Sequence, residues 1–150
     1  MVVHNPNNWH WVDKNCLPWS KQYLDEKLLP VSLAQDGYDI HVVSIKSLTG
    51  DCDVTQRKGK IRCIYDMKLE FEVEYKEGDA TSLFTVTIPE LFHDQDEDEY
   101  IFNVSGTGDS EHRTKVTKLF VPVVRTTLMK FQPDLLASHD EQLKHSTNPN

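Results

Sequence analysis

Three features of the sequence predict an α+β fold: an elongated single domain with an N-terminal helix, a four-stranded antiparallel β-meander and a long C-terminal helix packed on the sheet. Apolar and polar residues alternate without a break from Lys60 to Lys76, β-branched runs lie before and after that stretch, and a 3.6-residue apolar stripe fills the chain after Asp109. Sheet and helix periods occupy separate parts of one chain of 150 residues, a length suited to a single core.

The elements follow in order. Pro18 is a good first helical residue, and Trp19, Tyr23, Leu24 and Leu28 recur at helical spacing until Pro30, which predicts a helix over about 18–28. Residues 39–48 read as a first strand stopped by a turn at Thr49-Gly50-Asp51. In the second strand Ile61, Cys63, Tyr65, Met67, Leu69, Phe71, Val73 and Tyr75 share the core face, and at ~3.3 Å per residue it extends about 50 Å. Glu77-Gly78-Asp79 turns the chain into a third strand, Ser82–Ile88, closed by Pro89. Residues 93–99 form a solvated acidic loop and Tyr100–Val104 a fourth strand. Asp109 or Ser110 caps the last helix, whose apolar positions run from Val116 to Leu135. Pro122 and Pro133 each remove a helix hydrogen bond, so two bends or breaks are expected there. Residues 1–145 read as the domain and 146–150 as a disordered tail.

Composition excludes several functions. A net charge of −8 argues against nucleic-acid binding, which needs clustered Lys and Arg. The charge is uneven: Glu70 to Glu99 holds eleven Asp and Glu against Lys76 alone, or −10, leaving +2 elsewhere. No run approaches the ~18 apolar residues of a membrane span. The first residues lack a basic patch and an apolar run, so a cytoplasmic address is expected. Cys16, Cys52 and Cys63 form no C-x-x-C pair and read as free buried or half-buried thiols.

The chemical motifs are mostly negative. Asp94-x-Asp96-x-Asp98 begins like a calcium loop but has Glu99 where Gly and Ser105 where Glu belong. The seven histidines show no zinc spacing, and no nucleophile elbow or phosphate cradle occurs, so neither a cofactor nor catalysis is expected. Two segments remain. Asn5-Pro6-Asn7-Asn8-Trp9-His10-Trp11 is too polar for a helix or central strand; its indoles suit anchoring, while its asparagines and His10 suit recognition. Arg57-Lys58-Gly59-Lys60 with Arg62 is a basic tip in an acidic protein, and Ile64 falls on the polar face beside it. A solvated charge run and a lone exposed isoleucine are the ordinary explanations; together they suit a protein contact.

Residues 5–15, Trp19 and Gly50-Asp51-Cys52-Asp53-Val54-Thr55-Gln56-Arg57-Lys58-Gly59-Lys60 resemble the N-terminal domain of the activators of the heat shock protein 90 ATPase, most of all a short stand-alone fungal member. The resemblance implies a co-chaperone without catalysis of its own, monomeric, which binds the chaperone's middle segment and stimulates its ATP hydrolysis. It implies partner contacts at Arg57, Lys58 and Lys60, less distinctive ones at Asp53, Ile64 and Phe102, and an activation motif of Asn5, Asn7, Asn8, Trp9, His10 and Trp11. Arg62 departs from the family pattern, which has an apolar residue there. One domain forgoes the avidity of two linked sites, so weak stimulation is expected. The acidic stretch motivates an alternative: an autonomous holdase or acidic adaptor that binds unfolded proteins and leaves ATP turnover unchanged.

Overall fold

The alternation of the central strand builds the molecule around two long antiparallel strands. A computed structural model describes residues 12–140. In chain order these form β1 (Val12–Asn15), α1 (Leu17–Lys27), β2 (Ser32–Gln35), β3 (Tyr38–Arg57), β4 (Lys60–Glu77), β5 (Ala80–Phe92), a 3-10 turn (Glu97–Glu99) and β6 (Asn103–Ser105). The C-terminal helical run follows as α2 (Ser110–Lys115), a π turn (Val116–Phe120), α3 (Val121–Leu128) and α4 (Phe131–His139). β3, β4, β5 and β6 form the expected meander, and β1 and β2 pair with opposite ends of β3's outer edge.

The turn expected at Thr49-Gly50-Asp51 does not exist, since β3 runs through it for 20 residues to Arg57. Gly50 has another task. Its φ is 119°, and a Cβ there would stand 2.3 Å from the Asp66 carbonyl oxygen, so only glycine lets β4 pass this closely. β5 likewise continues past Pro89 to Phe92, because the register slips between Met67 and Leu69 and the bulge absorbs the missing N–H. The fourth strand begins at Asn103, later than expected, and Tyr100 to Phe102 lead into it. Two bulges in β3, between Val42 and Ser44 and between Ile45 and Ser47, lie where neither β1 nor β2 pairs, and they blunt that length of edge.

The helices cover one face of the sheet. Leu24, Leu28, Val116, Phe120, Val124, Leu128, Phe131 and Leu135 pack on the odd-numbered row of β4 side chains that includes Tyr65, Met67, Leu69, Phe71 and Val73. An aromatic chain ties α1 to α4 and the sheet: Trp19 to Tyr23 (5.1 Å), Tyr23 to Phe131 (5.4 Å), Phe131 to Tyr65 (5.1 Å). Both prolines interrupt the helical run as expected. Pro122 enters α3 just after the π turn, and Pro133 sits in the first turn of α4 after a break at Met129 and Lys130. Asp109 is the cap of α2, its carboxylate accepting from the Glu111 and His112 amides. The opposite sheet face carries a polar ladder in which Ser44 donates to Glu72 (3.0 Å) while Ser47 (3.4 Å) and Thr87 (3.2 Å) donate to Glu70.

Candidate functional site

The basic motif forms a two-residue hairpin. Arg57 closes β3 opposite Lys60 at the start of β4, and Lys58 and Gly59 between them have φ of 53° and 77°. Two left-handed residues are what a type I′ turn requires, and they match the twist of the flanking strands. Glycine accounts for one; Lys58 adopts the other at a conformational cost.

Behind the turn the cross-strand register sets Thr55 against Arg62 and Asp53 against Ile64. Asp53, Arg62 and Ile64 are exposed, Ile64 at 61%, the most of any large apolar residue described. Thr55, Arg57, Lys58, Lys60, Arg62 and Ile64 together line a cavity of about 360 Å³ in which four cations surround an aliphatic side chain. Such a surface is chemically suited to carboxylates beside an apolar group. The structure thus brings together Asp53, Arg57, Lys58, Lys60 and Ile64.

Phe102 lies elsewhere. It stacks on Tyr100 (6.5 Å between centroids) with the Arg125 guanidinium 5.5 Å from its ring. Its neighbour Asn103 pairs with Thr87, which pairs with Glu70, six residues along β4 from Ile64 and so about 20 Å away. Asn5, Asn7, Asn8, Trp9, His10 and Trp11 lie outside the described residues, as does the 146–150 tail. The end of that segment is nonetheless marked: β1 pairs antiparallel with β3, Val12 opposite Gln56, so the chain enters β1 next to the basic hairpin. Sequence periodicity missed β1, because four residues on a polar edge carry too little pattern.

Beneath the tip are the three free, buried cysteines. Burial pushes the Cys52 and Cys63 thiols up to about 11, against the help of a Ser20 hydrogen bond to Cys52, and also raises Cys16. Neutral, buried thiols are inert packing groups. Cys16 Sγ lies 3.6 Å from His139 Nε2, while His139 Nδ1 donates to the Leu135 carbonyl (2.8 Å), so this pair ties the end of β1 to the end of α4. The Ser82–His112 contact (2.7 Å) is a brace of the same kind: the buried Ser82 hydroxyl accepts from the Asp109 amide and is hydrogen-bonded to His112 Nδ1. The acidic loop is an ordered turn. Asp96 and Glu99 form a reciprocal capping box, and Gln95 donates to the carbonyls of Glu90 and Glu99.

Sequence reasoning also missed a second groove, of about 470 Å³, where the hairpin base meets α4 and the 93–94 turn. Its walls come from residues some 70 positions apart, which no local pattern signals.

A one-sided antiparallel sheet backed by helices, with a cationic hairpin at one end, defines an α+β domain whose distinctive chemistry is on its surface. The chain belongs to the family of activators of Hsp90 ATPase, N-terminal domain, which it matches over residues 13–139. It is 38% identical to the Hsp90 co-chaperone HCH1 of Saccharomyces cerevisiae over 96% of this chain and 99% of that protein. It is 37% identical to the co-chaperone AHA1 of the same yeast, again over 96% of this chain but only 44% of AHA1's length. The crystal structure of Aha-1 from Plasmodium falciparum shares the fold, with a TM-score of 0.74 at 21% identity over 92% of this chain and 95% of that one. These relatives are named as co-chaperones or as activators of another protein's ATPase, regulators and not enzymes themselves.

Proposed function

We propose that this chain is an Hsp90 co-chaperone that docks on the chaperone's middle segment through the Arg57–Lys60 hairpin and stimulates ATP hydrolysis through residues 5–11, acting in the cytoplasm as a monomer. The observation that carries the reading is the register of β1. Val12 lies opposite Gln56, so β1 begins beside the hairpin with its four cations and Ile64, which supports a reading in which attachment and activation share one end of the molecule.

The hairpin supplies steering and affinity: clustered positive charge attracts an acidic patch, and Ile64 offers apolar area to be buried once docked. Docking alone accelerates nothing. A bound regulator raises turnover only by favouring the partner's committed conformation over its resting one, with each 1.4 kcal/mol of preference worth about tenfold. That preference is assigned to the leader. A single docking surface forgoes the avidity of two linked ones, so weak stimulation belongs to this reading.

The test separates the two roles. Removing residues 1–11 should leave the melting temperature close to that of the intact protein, keep binding to the middle segment within a few-fold, and abolish most inhibitor-sensitive ATPase stimulation. A truncated protein that binds and stimulates fully would sink the assignment of activation to the leader. Intact protein that suppresses client aggregation with no rise in ATPase rate would favour the holdase instead.

A further inference from the structure

We propose that the docking surface continues past Ile64 into the second groove, and that this groove takes an aliphatic side chain followed by a Lys or Arg from the same chaperone segment whose carboxylates meet the hairpin. The inference rests on the docking reading above.

Arg62 and Ile64 line both cavities, so the two form one continuous surface with a saddle at these residues. The lining changes character across it. On the hairpin side four cations line the cavity and no carboxylate does; on the α4 side Ile61 and Leu136 supply aliphatic walls and Asp94 the one carboxylate, with Arg62 shared at the saddle and His93 beside Asp94.

Asp94 is fixed there. It holds a left-handed conformation (φ 59°), its amide donates to Gln132 Oε1 (2.6 Å), and its Oδ1 accepts from Gln132 Nε2 (2.8 Å). Gln132 is itself held by the Tyr65 hydroxyl (3.3 Å), and the His93 amide donates to the Tyr65 carbonyl (3.2 Å). Asp94 makes no ion pair with Arg62, so among the described residues its outer oxygen Oδ2 is an unused acceptor on an exposed side chain.

From the hairpin to the 93–94 turn the surface thus runs from four cations, past Ile64 with Asp53 opposite it, to the carboxylate of Asp94. The segment that fits it presents the complement in the same order: acid, aliphatic, base. Opposite polarity at the two ends fixes the direction in which that segment lies, which a uniformly basic patch could not do.

The experiment titrates intact protein, Asp94→Asn and Asp94→Lys into purified full-length chaperone by calorimetry, with thermal melts alongside. Asparagine tolerates the left-handed turn and keeps an oxygen for Gln132, so Asp94→Asn isolates the charge. It should weaken binding about threefold, and Asp94→Lys about tenfold or more, as expected of a rim charge removed or reversed. Unchanged or tighter binding by Asp94→Asn, with binding still lost on reversing Lys58 and Lys60, would overturn the groove and leave hairpin docking standing. No binding by the intact protein would overturn both. Should Asp94→Lys fail to fold, the asparagine variant decides.

Discussion

At one end of the long sheet Lys115 is held from several sides, whereas at the other the side chains of Lys60 and Arg62 make no hydrogen bond or ion pair with any described residue. The Lys115 ammonium lies 4.8 Å from the Tyr38 ring and 5.8 Å from the Tyr75 ring, donates to the Tyr75 hydroxyl (3.2 Å) and pairs with Glu77 (3.7 Å). Tyr75 in turn donates to Glu77 (2.6 Å) and stacks on His112 (4.1 Å). The core differs as well. Beneath the locked end it holds Tyr38, Tyr75 and Phe84; beneath the basic hairpin it holds Val54 and the thiols Cys16, Cys52 and Cys63, with Tyr65 opposite Cys52 and Phe131 against Tyr65. A charge satisfied inside the fold has little to offer a partner, which favours the hairpin end for the docking proposed above. The same strands serve both purposes because their length keeps the two ends independent.

The largest expected effect tests that division directly. Lys58→Glu combined with Lys60→Glu replaces attraction by repulsion at the tip and should weaken binding to the chaperone's middle segment about a hundredfold, with a melting temperature near that of the intact protein. Intact binding should also weaken with added salt. Calorimetry showing unchanged affinity for the double reversal would remove the hairpin from the interface and with it the contrast between the ends.

Raising the pH should loosen the hairpin end. A thiol in the unfolded chain ionises near 9.0, whereas burial holds Cys52 and Cys63 neutral up to about 11. Above pH 9 the unfolded chain has therefore shed protons that the folded chain retains, and the balance moves toward unfolding; below 9 these groups contribute no pH dependence. Near pH 10 the loss is about 1 kcal/mol per thiol. Burial also raises the hydroxyls of Tyr23, Tyr65, Tyr75 and Tyr100, which add to the slope in the same direction, so urea unfolding in reductant at pH 8 and pH 10 is compared between the intact protein and Cys52→Ala, whose flatter slope measures the thiol's share. Hydrogen exchange should show amides of β1 and the adjoining part of β3 losing protection ahead of those around Tyr75. Uniform loss along the sheet would contradict the independence of its ends.

The sequence is most informative where a pattern is local and least where it is tertiary. The alternation from Lys60 and the stripe after Val116 are fixed by burial on one face, and Pro122 and Pro133 act through a missing N–H wherever they stand, so these elements were legible. Gly50 was misread because a glycine between polar residues resembles a turn, and its real constraint is the backbone of Asp66, a neighbour on another strand. Pro89 misled for the same reason, since the bulge that shelters it depends on the register with Met67 and Leu69. In the candidate site, Arg57, Lys58, Lys60 and Ile64 stood out by charge and by face. The opposition of Asp53 to Ile64 followed only from register, and Asp94 and Gln132 could not be joined to them without the fold that brings α4 to the hairpin base.

The smallest expected effect sharpens the comparison from the locked end. Tyr75→Phe removes one hydroxyl while keeping the ring that stacks on Tyr38 (5.5 Å) and His112, so the aromatic packing stays and only the links to Glu77 and Lys115 are lost. Glu77 is exposed and regains water, and Lys115 keeps the Tyr38 face, so neither is stranded. The expected loss is about 1 kcal/mol in urea unfolding, the usual contribution of a hydrogen-bonded group whose partners can be rehydrated. The Tyr75 hydroxyl is also the first cause of the depressed Glu77 carboxyl, which ionises more readily folded than unfolded. That linkage stabilises the fold above the ordinary carboxylate range and is lost as pH falls through the lowered value, so the deficit of Tyr75→Phe should shrink in acid. Affinity for the chaperone should not change. A Tyr75→Phe protein that binds several-fold more weakly at full stability would show that the two ends communicate, and the partition between a locked end and a docking end would have to be given up.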